Sequence, residues 1–226
     1  MANAEPVRVR AVVELFTSQG CSSCPPADSL IGKLDKRADV LALSLPVDYW
    51  DYLGWKDTLA QHAFTERQRE YADQRGDGLV YTPQVVVNGL KPAVGSHEAQ
   101  VEAAIEETAK ALEGKRPTMD VAHEGDTLVV SIGAAPAGAP VPMVVWLAHL
   151  TRDREVTIGR GENDGQIVTY HNVVRKLTAI GTWSGEALTL RVPMAEVRAV
   201  KSDAGAVLLQ AKDLGPILAA AEIASW

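Results

Sequence analysis

An α/β domain followed by an all-β, sandwich-like domain is the fold class this sequence predicts, and three observations predict it. Local patterns in the first half run in the order β-α-β-α-β-β-α. The only two cysteines, Cys21 and Cys24, fall between the first strand and the first helix. From Thr118 onward, helical spacing gives way to short alternating runs separated by Gly-, Asp-, Asn- and Pro-containing turns. The boundary is expected at Glu113 to Pro117, giving domains of residues 1–115 and 116–226.

The first strand spans Val7 to Phe16, where apolar residues alternate with Arg8 and Arg10 and then become continuous, as in a strand buried on both faces. After the cysteines, Ala27, Leu30, Ile31 and Leu34 recur at helical spacing, with Asp28, Lys33, Asp35 and Lys36 on the other side. Val40 to Val47 is a second strand, parallel to the first through a right-handed crossover. Asp48 to Asp57 (DYWDYLGWKD) is an aromatic insert, read as core cover ahead of groove lining. Thr58 to Gln74 is polar and free of Gly and Pro, which predicts a surface helix ended by Gly76 and Gly78. Gln84 to Val87, Asn88-Gly89 and Lys91 to Gly95 predict a hairpin, and Val101, Ala104, Ile105, Thr108 and Leu112 a closing helix. This order is that of the thioredoxin core. In the second half, strands are expected at 128–132, 143–150, 155–158, 167–170, 173–177, 188–192 and 206–211, with Ile217 to Ser225 open to helix or strand.

Composition bounds the function. Across 226 residues, 46% hydrophobic and 23% charged content supply real cores, and a net charge of −7 argues against generic binding to a nucleic-acid backbone. No run approaches the ~18 apolar residues of a membrane span. Ala2-Asn3-Ala4 before Glu5 has the form of the tail of a signal-peptidase site, so a removed signal peptide is expected.

A strand, Cys-x-x-Cys and a helix is the arrangement in which a thiol pair does redox chemistry. The thiolate is the reactive species, and a helix start lowers a thiol's pKa. Cys21 is the expected nucleophile and Cys24 the resolving thiol. Because a residue before proline avoids the α region, regular helix is expected from Pro26, with Cys21 on a turn ahead of it. Thr82-Pro83 stands where a cis-proline loop would shape the substrate edge. Glu14, on the strand entering the cysteine loop, is a candidate proton acceptor, and Asp48 a weaker one. Arg160 and Arg175 belong to polar insertions that read as turns, or as cations reaching the cysteine face. A zinc site lacks paired histidines among His62, His97, His123, His149 and His171. A structural disulfide across so short a loop constrains little chain entropy, yet it stays open as a reading.

Together, Phe16 through Asp28 (FTSQGCSSCPPAD), Val47 through Asp51 (VDYWD), Tyr81 through Gln84 (YTPQ), Gly159 through Asn163 and Asn172 through Arg175 resemble an uncharacterised family of secreted, thioredoxin-like bacterial proteins. The resemblance implies a thioredoxin-like fold and a periplasmic or secreted location, and supplies no established substrate. Pro46 stands where that family is associated with His, so no proton-transfer or metal role carries over from that position. The expected function is a thiol–disulfide oxidoreductase acting on protein or peptide disulfides with an unidentified redox partner. Its only redox group is the Cys21–Cys24 disulfide, and no other cofactor, nucleic acid or integral membrane segment is expected. The alternatives are an envelope binding module whose thiols hold copper or a partner, and a non-catalytic chain with a structural disulfide.

Overall fold

Eleven strands build the framework of the computed structural model, which describes residues 8–223. The fold is mixed α/β, with an eight-stranded mixed sheet and a separate three-stranded antiparallel sheet. Ala2-Asn3-Ala4, Val7 at the expected strand start, and Ser225 at the end of the last stretch lie outside the described residues. The first half contains β1 (Ala11–Thr17), α1 (Pro25–Leu34), β2 (Val40–Pro46), α2 (His62–Arg75), β3 (Gln84–Val87), β4 (Lys91–Val94) and α3 (Glu98–Ala111). The second contains β5 (Met119–Glu124), β6 (Thr127–Ile132), β7 (Met143–Thr157), β8 (Ile167–Trp183), β9 (Leu188–Pro193), the one-turn α4 (Met194–Val197), β10 (Ala204–Ala211) and β11 (Ile217–Ile223). The large sheet runs β11-β10-β7-β8-β2-β1-β3-β4 and the small one β5-β6-β9.

Every residue of β1 is buried, because the strand is covered on both faces. Alternation then sorts its side chains. Ala11, Val13 and Leu15 pack with Ala27, Leu30 and Ile31 of α1 and with Val101 and Ile105 of α3. Val12 and Phe16 turn the other way, to Phe64 and Tyr71 of α2 and to Ala206 and Leu208 of β10. The opposite face of β10 packs Val207 and Leu209 against Leu128, Val130 and Ile132 of β6.

Several boundaries differ from expectation, the first strand beginning at Ala11 with residues 8–10 ahead of it. Helix α1 begins at Pro25, since Cys24 adopts helical angles (φ −80°, ψ −36°) despite the proline after it. The prolines occupy the first two helical positions, where a missing N–H costs no intrahelical bond. Helix α2 starts at His62, because Asp57 Oδ1 accepts the N–H groups of Leu59 and Ala60 and holds that stretch as a turn. The runs expected at 143–150 and 155–158 are one strand, as are those at 167–170 and 173–177. Strand β7 continues through the exposed residues 152–155, which need no apolar side chains, whereas β8 continues through His171 and the buried Asn172, whose amide bonds β2. Strand β5, unmarked by strong alternation, is an edge of the small sheet, and the undecided last stretch is β11.

The large sheet is continuous because β8 pairs with β2 in parallel at Ser44 and Val173. Ser44 Oγ donates to the His171 carbonyl at 2.8 Å, and the Asn172 amide donates to Ala42 O and to Asp35. A deeper tie is polar. The fully buried Glu14 accepts from Arg67 Nε at 2.8 Å and from the Tyr71 hydroxyl at 2.5 Å. Arg67 also donates to Gln210 Oε1 at 2.8 Å, and Gln210 Nε2 donates to the Tyr71 oxygen at 2.8 Å. One network thus joins β1, α2 and β10.

Removing one member of a buried ion pair strands the other charge. Arg67→Met is therefore expected to cost about 3–5 kcal/mol in urea unfolding, and Glu14→Leu combined with Arg67→Met to cost clearly less than the Arg67 change alone.

Candidate functional site

Strand β1 hands the chain to α1 through a turn of seven residues in which backbone groups of Ser18, Gln19, Cys21 and Cys24 find partners within the protein. The Cys21 N–H donates to Ser18 O and the Cys24 N–H to Cys21 O, both at 3.1 Å. The two cysteines are joined as a disulfide with Cα atoms 5.4 Å apart. Cys24 is the N-cap of α1 and wholly buried, whereas Cys21 lies on the turn ahead of the helix and is 3% exposed. Ser22 and Ser23 between them face solvent. The Ser23 hydroxyl lies 3.5 Å from Cys21 Sγ, and since a disulfide sulfur carries no hydrogen, the hydroxyl is the donor.

Gln19 pins this turn to the aromatic insert. Its N–H donates to Asp57 Oδ2 at 2.8 Å, its Nε2 to Thr58 Oγ1, and its Oε1 accepts from Trp55 Nε1 at 2.8 Å and from the Thr58 N–H. From the second half of the chain, the buried Asn163 donates through Nδ2 to the carbonyls of Gln19 and Cys21, at 2.9 Å each. Trp50 bridges the other flank: its Cβ stands 3.1 Å from where a Gly20 side chain would begin, and its Nε1 donates to Thr82 Oγ1 at 2.8 Å. The Thr82–Pro83 bond is cis. A Cβ at Gly95 would lie 3.2 Å from both Pro83 Cβ and Ala27 Cβ, so the proline loop packs on the first turn of α1. Cys21, Cys24, Thr82 and Pro83 are thereby gathered at one end of the sheet, with Trp50 between the two loops.

Glu14 lies elsewhere, both carboxylate oxygens engaged by Arg67 and Tyr71 on the α2 side. Asp48 is held by the Thr65 hydroxyl and by His62, and although burial opposes it, these bonds bring its carboxyl below the usual range. Arg160 is exposed, and Arg175 meets the N-cap of α2 through its backbone carbonyl, which accepts from Gln61 Nε2. The residue that reaches the cysteine turn from the 159–163 segment is Asn163.

The buried acid nearest in the chain to Cys24 is Asp28. It sits one helical turn beyond Cys24, its N–H bonded to the Cys24 carbonyl at 3.1 Å. The Thr17 hydroxyl donates to its Oδ1 at 2.8 Å, and its Oδ2 has no partner among the described residues. Burial pushes its pKa up from 3.8 to about 8; the Thr17 bond opposes the rise and the nearby Asp57 adds to it. Asp57 is raised by its own burial, and the Tyr170 hydroxyl, buried near both carboxyls, is raised as well. Asp28 was legible only as a member of the polar side of a helix. The signal that marks it is its spacing of four from Cys24, which places both on one helix face.

Residues 12–210 match the family model described as "Protein of unknown function (DUF1223)", and the chain belongs to that family. The crystal structure of the protein AGR_C_4864 from Agrobacterium tumefaciens is similar at 34% identity with a TM-score of 0.83, covering 96% of this chain and 94% of that one. HBP35 of Porphyromonas gingivalis shares the fold at 11% identity and a TM-score of 0.57, over 96% of this chain and 76% of that one. No curated protein matches the chain.

Because the folded chain holds the Asp28 proton more tightly than the unfolded chain, the stability this contributes is complete below the ordinary value of 3.8. It is lost as pH rises through about 8. Asp28→Asn keeps an acceptor for Thr17 without a charge to bury. It is expected to flatten the pH dependence of urea stability between these limits and to raise stability above pH 8 by about 1–3 kcal/mol.

Proposed function

We propose that this chain is a thiol–disulfide oxidoreductase, with a thioredoxin-like domain at residues 1–115 and a sandwich-like domain at 116–226, acting on protein or peptide disulfides. The observation that carries the reading is the Cys21–Cys24 disulfide closed across the turn between β1 and α1. Three further features support it. The strand order β2-β1-β3-β4 has α1 and α3 on one face and α2 on the other. The Thr82–Pro83 loop lies against the first turn of α1. A buried carboxyl, Asp28, follows Cys24 by one helical turn. An oxidising compartment, periplasmic or extracellular, suits a chain whose two cysteines are paired.

In the reducing direction the Cys21 thiolate attacks one sulfur of a substrate disulfide, which breaks the substrate bond and expels one substrate thiolate. Cys24, having lost its proton, then attacks Cys21 Sγ in the mixed disulfide. The Cys21–Cys24 bond forms, the second substrate thiolate leaves, and both substrate thiolates take up protons. Two electrons pass from the cysteine pair to the substrate, and a dithiol partner restores the pair by the reverse steps. Asp28 is the group assigned to take the Cys24 proton and to return it when the flow reverses, its raised pKa matching it to exchange near neutrality. Pro25 and Pro26 remove two N–H donors from the helix start, so less of the stabilisation of the Cys21 thiolate comes from the helix. The Ser23 hydroxyl supplies a donor in their place.

The near-complete burial of both cysteines favours a second reading, a disulfide kept as a staple. A reduction potential below about −300 mV with no thiol exchange is the result that would favour the staple.

Cys21→Ser is expected to abolish dithiol-coupled reduction of a model disulfide, and Cys24→Ser to leave a long-lived mixed disulfide visible by mass. Unchanged turnover in the Cys21→Ser variant would sink the redox proposal.

A further inference from the structure

We infer that Asn163 is a positioning residue for Cys21 and the latch of a gate, formed by the β7–β8 connection, that determines which thiols reach the disulfide. The inference takes its functional meaning from the redox reading.

The connection from Ile158 to Gln166 is closed on itself. The Gly165 N–H donates to Ile158 O at 2.8 Å, the Ile158 N–H to Gln166 O at 2.9 Å, and the Gln166 N–H to Asn163 O at 3.0 Å. These bonds tie the two ends of the arch to each other. Gly161 (φ +84°) and Gly165 (φ +77°) sit in backbone regions that only glycine enters freely. The outer residues of the arch, including Arg160, Glu162 and Asp164, face solvent, while the strands that carry it expose Arg154, Glu155 and Ile167 and bury Ile158, Val168 and Tyr170 with Leu59. Asn163 alone among residues 159–167 is buried.

What it is buried against is the cysteine turn. One amide nitrogen serves two carbonyls, of Gln19 and Cys21, while the Asn163 Oδ1 accepts from Gln166 Nε2 within the arch. The same Cys21 carbonyl accepts the Cys24 N–H that closes the Cys-x-x-Cys turn, so Asn163 holds the carbonyl around which the disulfide is built. Trp55 adds to the seat, its ring 3.1 Å from where a Gly159 side chain would begin, and Ile158 at the base of the arch packs with Leu59, Val168 and Tyr170.

Thiol–disulfide exchange needs a sulfur to approach Cys21 Sγ along the line of the S–S bond. With Cys21 at 3% exposure, a protein thiol cannot make that approach while the arch is seated. Release of the two Asn163 bonds frees the outer arch, residues 159–165, to swing off the turn while Ile158 and Val168 stay packed with Leu59. The second half of the chain thus contributes a residue to the reaction centre and selects for partners able to open it, small thiols being less restricted than protein thiols.

The test is the rate at which the oxidised full-length chain is reduced by dithiothreitol and by a folded dithiol protein, read as alkylated cysteine by mass. For Asn163→Ala, reduction by the protein is expected to accelerate roughly 5- to 30-fold, the effect of losing two net hydrogen bonds, and reduction by dithiothreitol less. Gly165→Ala strains the arch without touching the cysteine turn and is expected to act in the same direction, which keeps the test open if Asn163→Ala misfolds. Equal rates for the folded variants and the parent overturn the gate. Failure of the parent to exchange with any model disulfide, alongside faster reduction of Asn163→Ala, overturns the redox reading and leaves the gate standing.

Discussion

A carboxylate sealed from water must find its counter-charge inside the protein, and Glu14 finds it in Arg67. That requirement fixes more than one ion pair. Tyr71 and Gln210 are needed to complete the hydrogen bonding of both charges, which draws α2 and β10 onto the same face of β1. A strand from the end of the chain is thereby held against the first strand, and the core shared by Val12, Phe16, Phe64 and Leu208 closes around the polar network. The arrangement favours one packing of the two halves over others, since any displacement leaves a buried charge unpaired.

The cysteine turn follows the same logic on a smaller scale. A turn that carries Ser18, Gln19 and Gly20 into the protein must satisfy every backbone and amide group there. Gln19 does so by binding Trp55 and Asp57 of the insert and Thr58 just after it, and its carbonyl is completed by Asn163. The aromatic insert thus covers the turn and also orders it. Trp50 extends the arrangement to Thr82, so the two loops that would flank a substrate are set by one tryptophan. Asp28, like Asp57, is a buried acid with no cation against it among the described residues, and burial raises its pKa to about 8.

Much of the first half was legible, because its elements announce themselves by local period. The Asn88-Gly89 turn has both residues at positive φ, as the hairpin requires, and α1 and α3 bury the apolar stripes their spacing shows. The polar composition of α2 predicts a surface helix, yet Arg67 and Gln68 are buried. Their partners are Glu14, Gln210 and Gln84, which no local window contains. Local pattern divides β7 at the exposed residues 152–155 and β8 at His171-Asn172, because neither a solvated stretch nor a buried amide bonded to a neighbouring strand carries a hydrophobic signal.

By itself the sequence determined the cysteine pair, its place between a strand and a helix, the proline loop, and the order of elements that brings these together. Each depends on neighbours within a few residues, or on a residue type that few others replace. Only the tertiary structure decided that Glu14 pairs with α2, that Asp28 lies buried beside Cys24, and that Asn163 crosses 142 positions to bind the Cys21 carbonyl. Side-chain direction and burial at those positions arise from packing between distant segments, and an acid or an amide reads the same in a chain whether it will face water or a carbonyl.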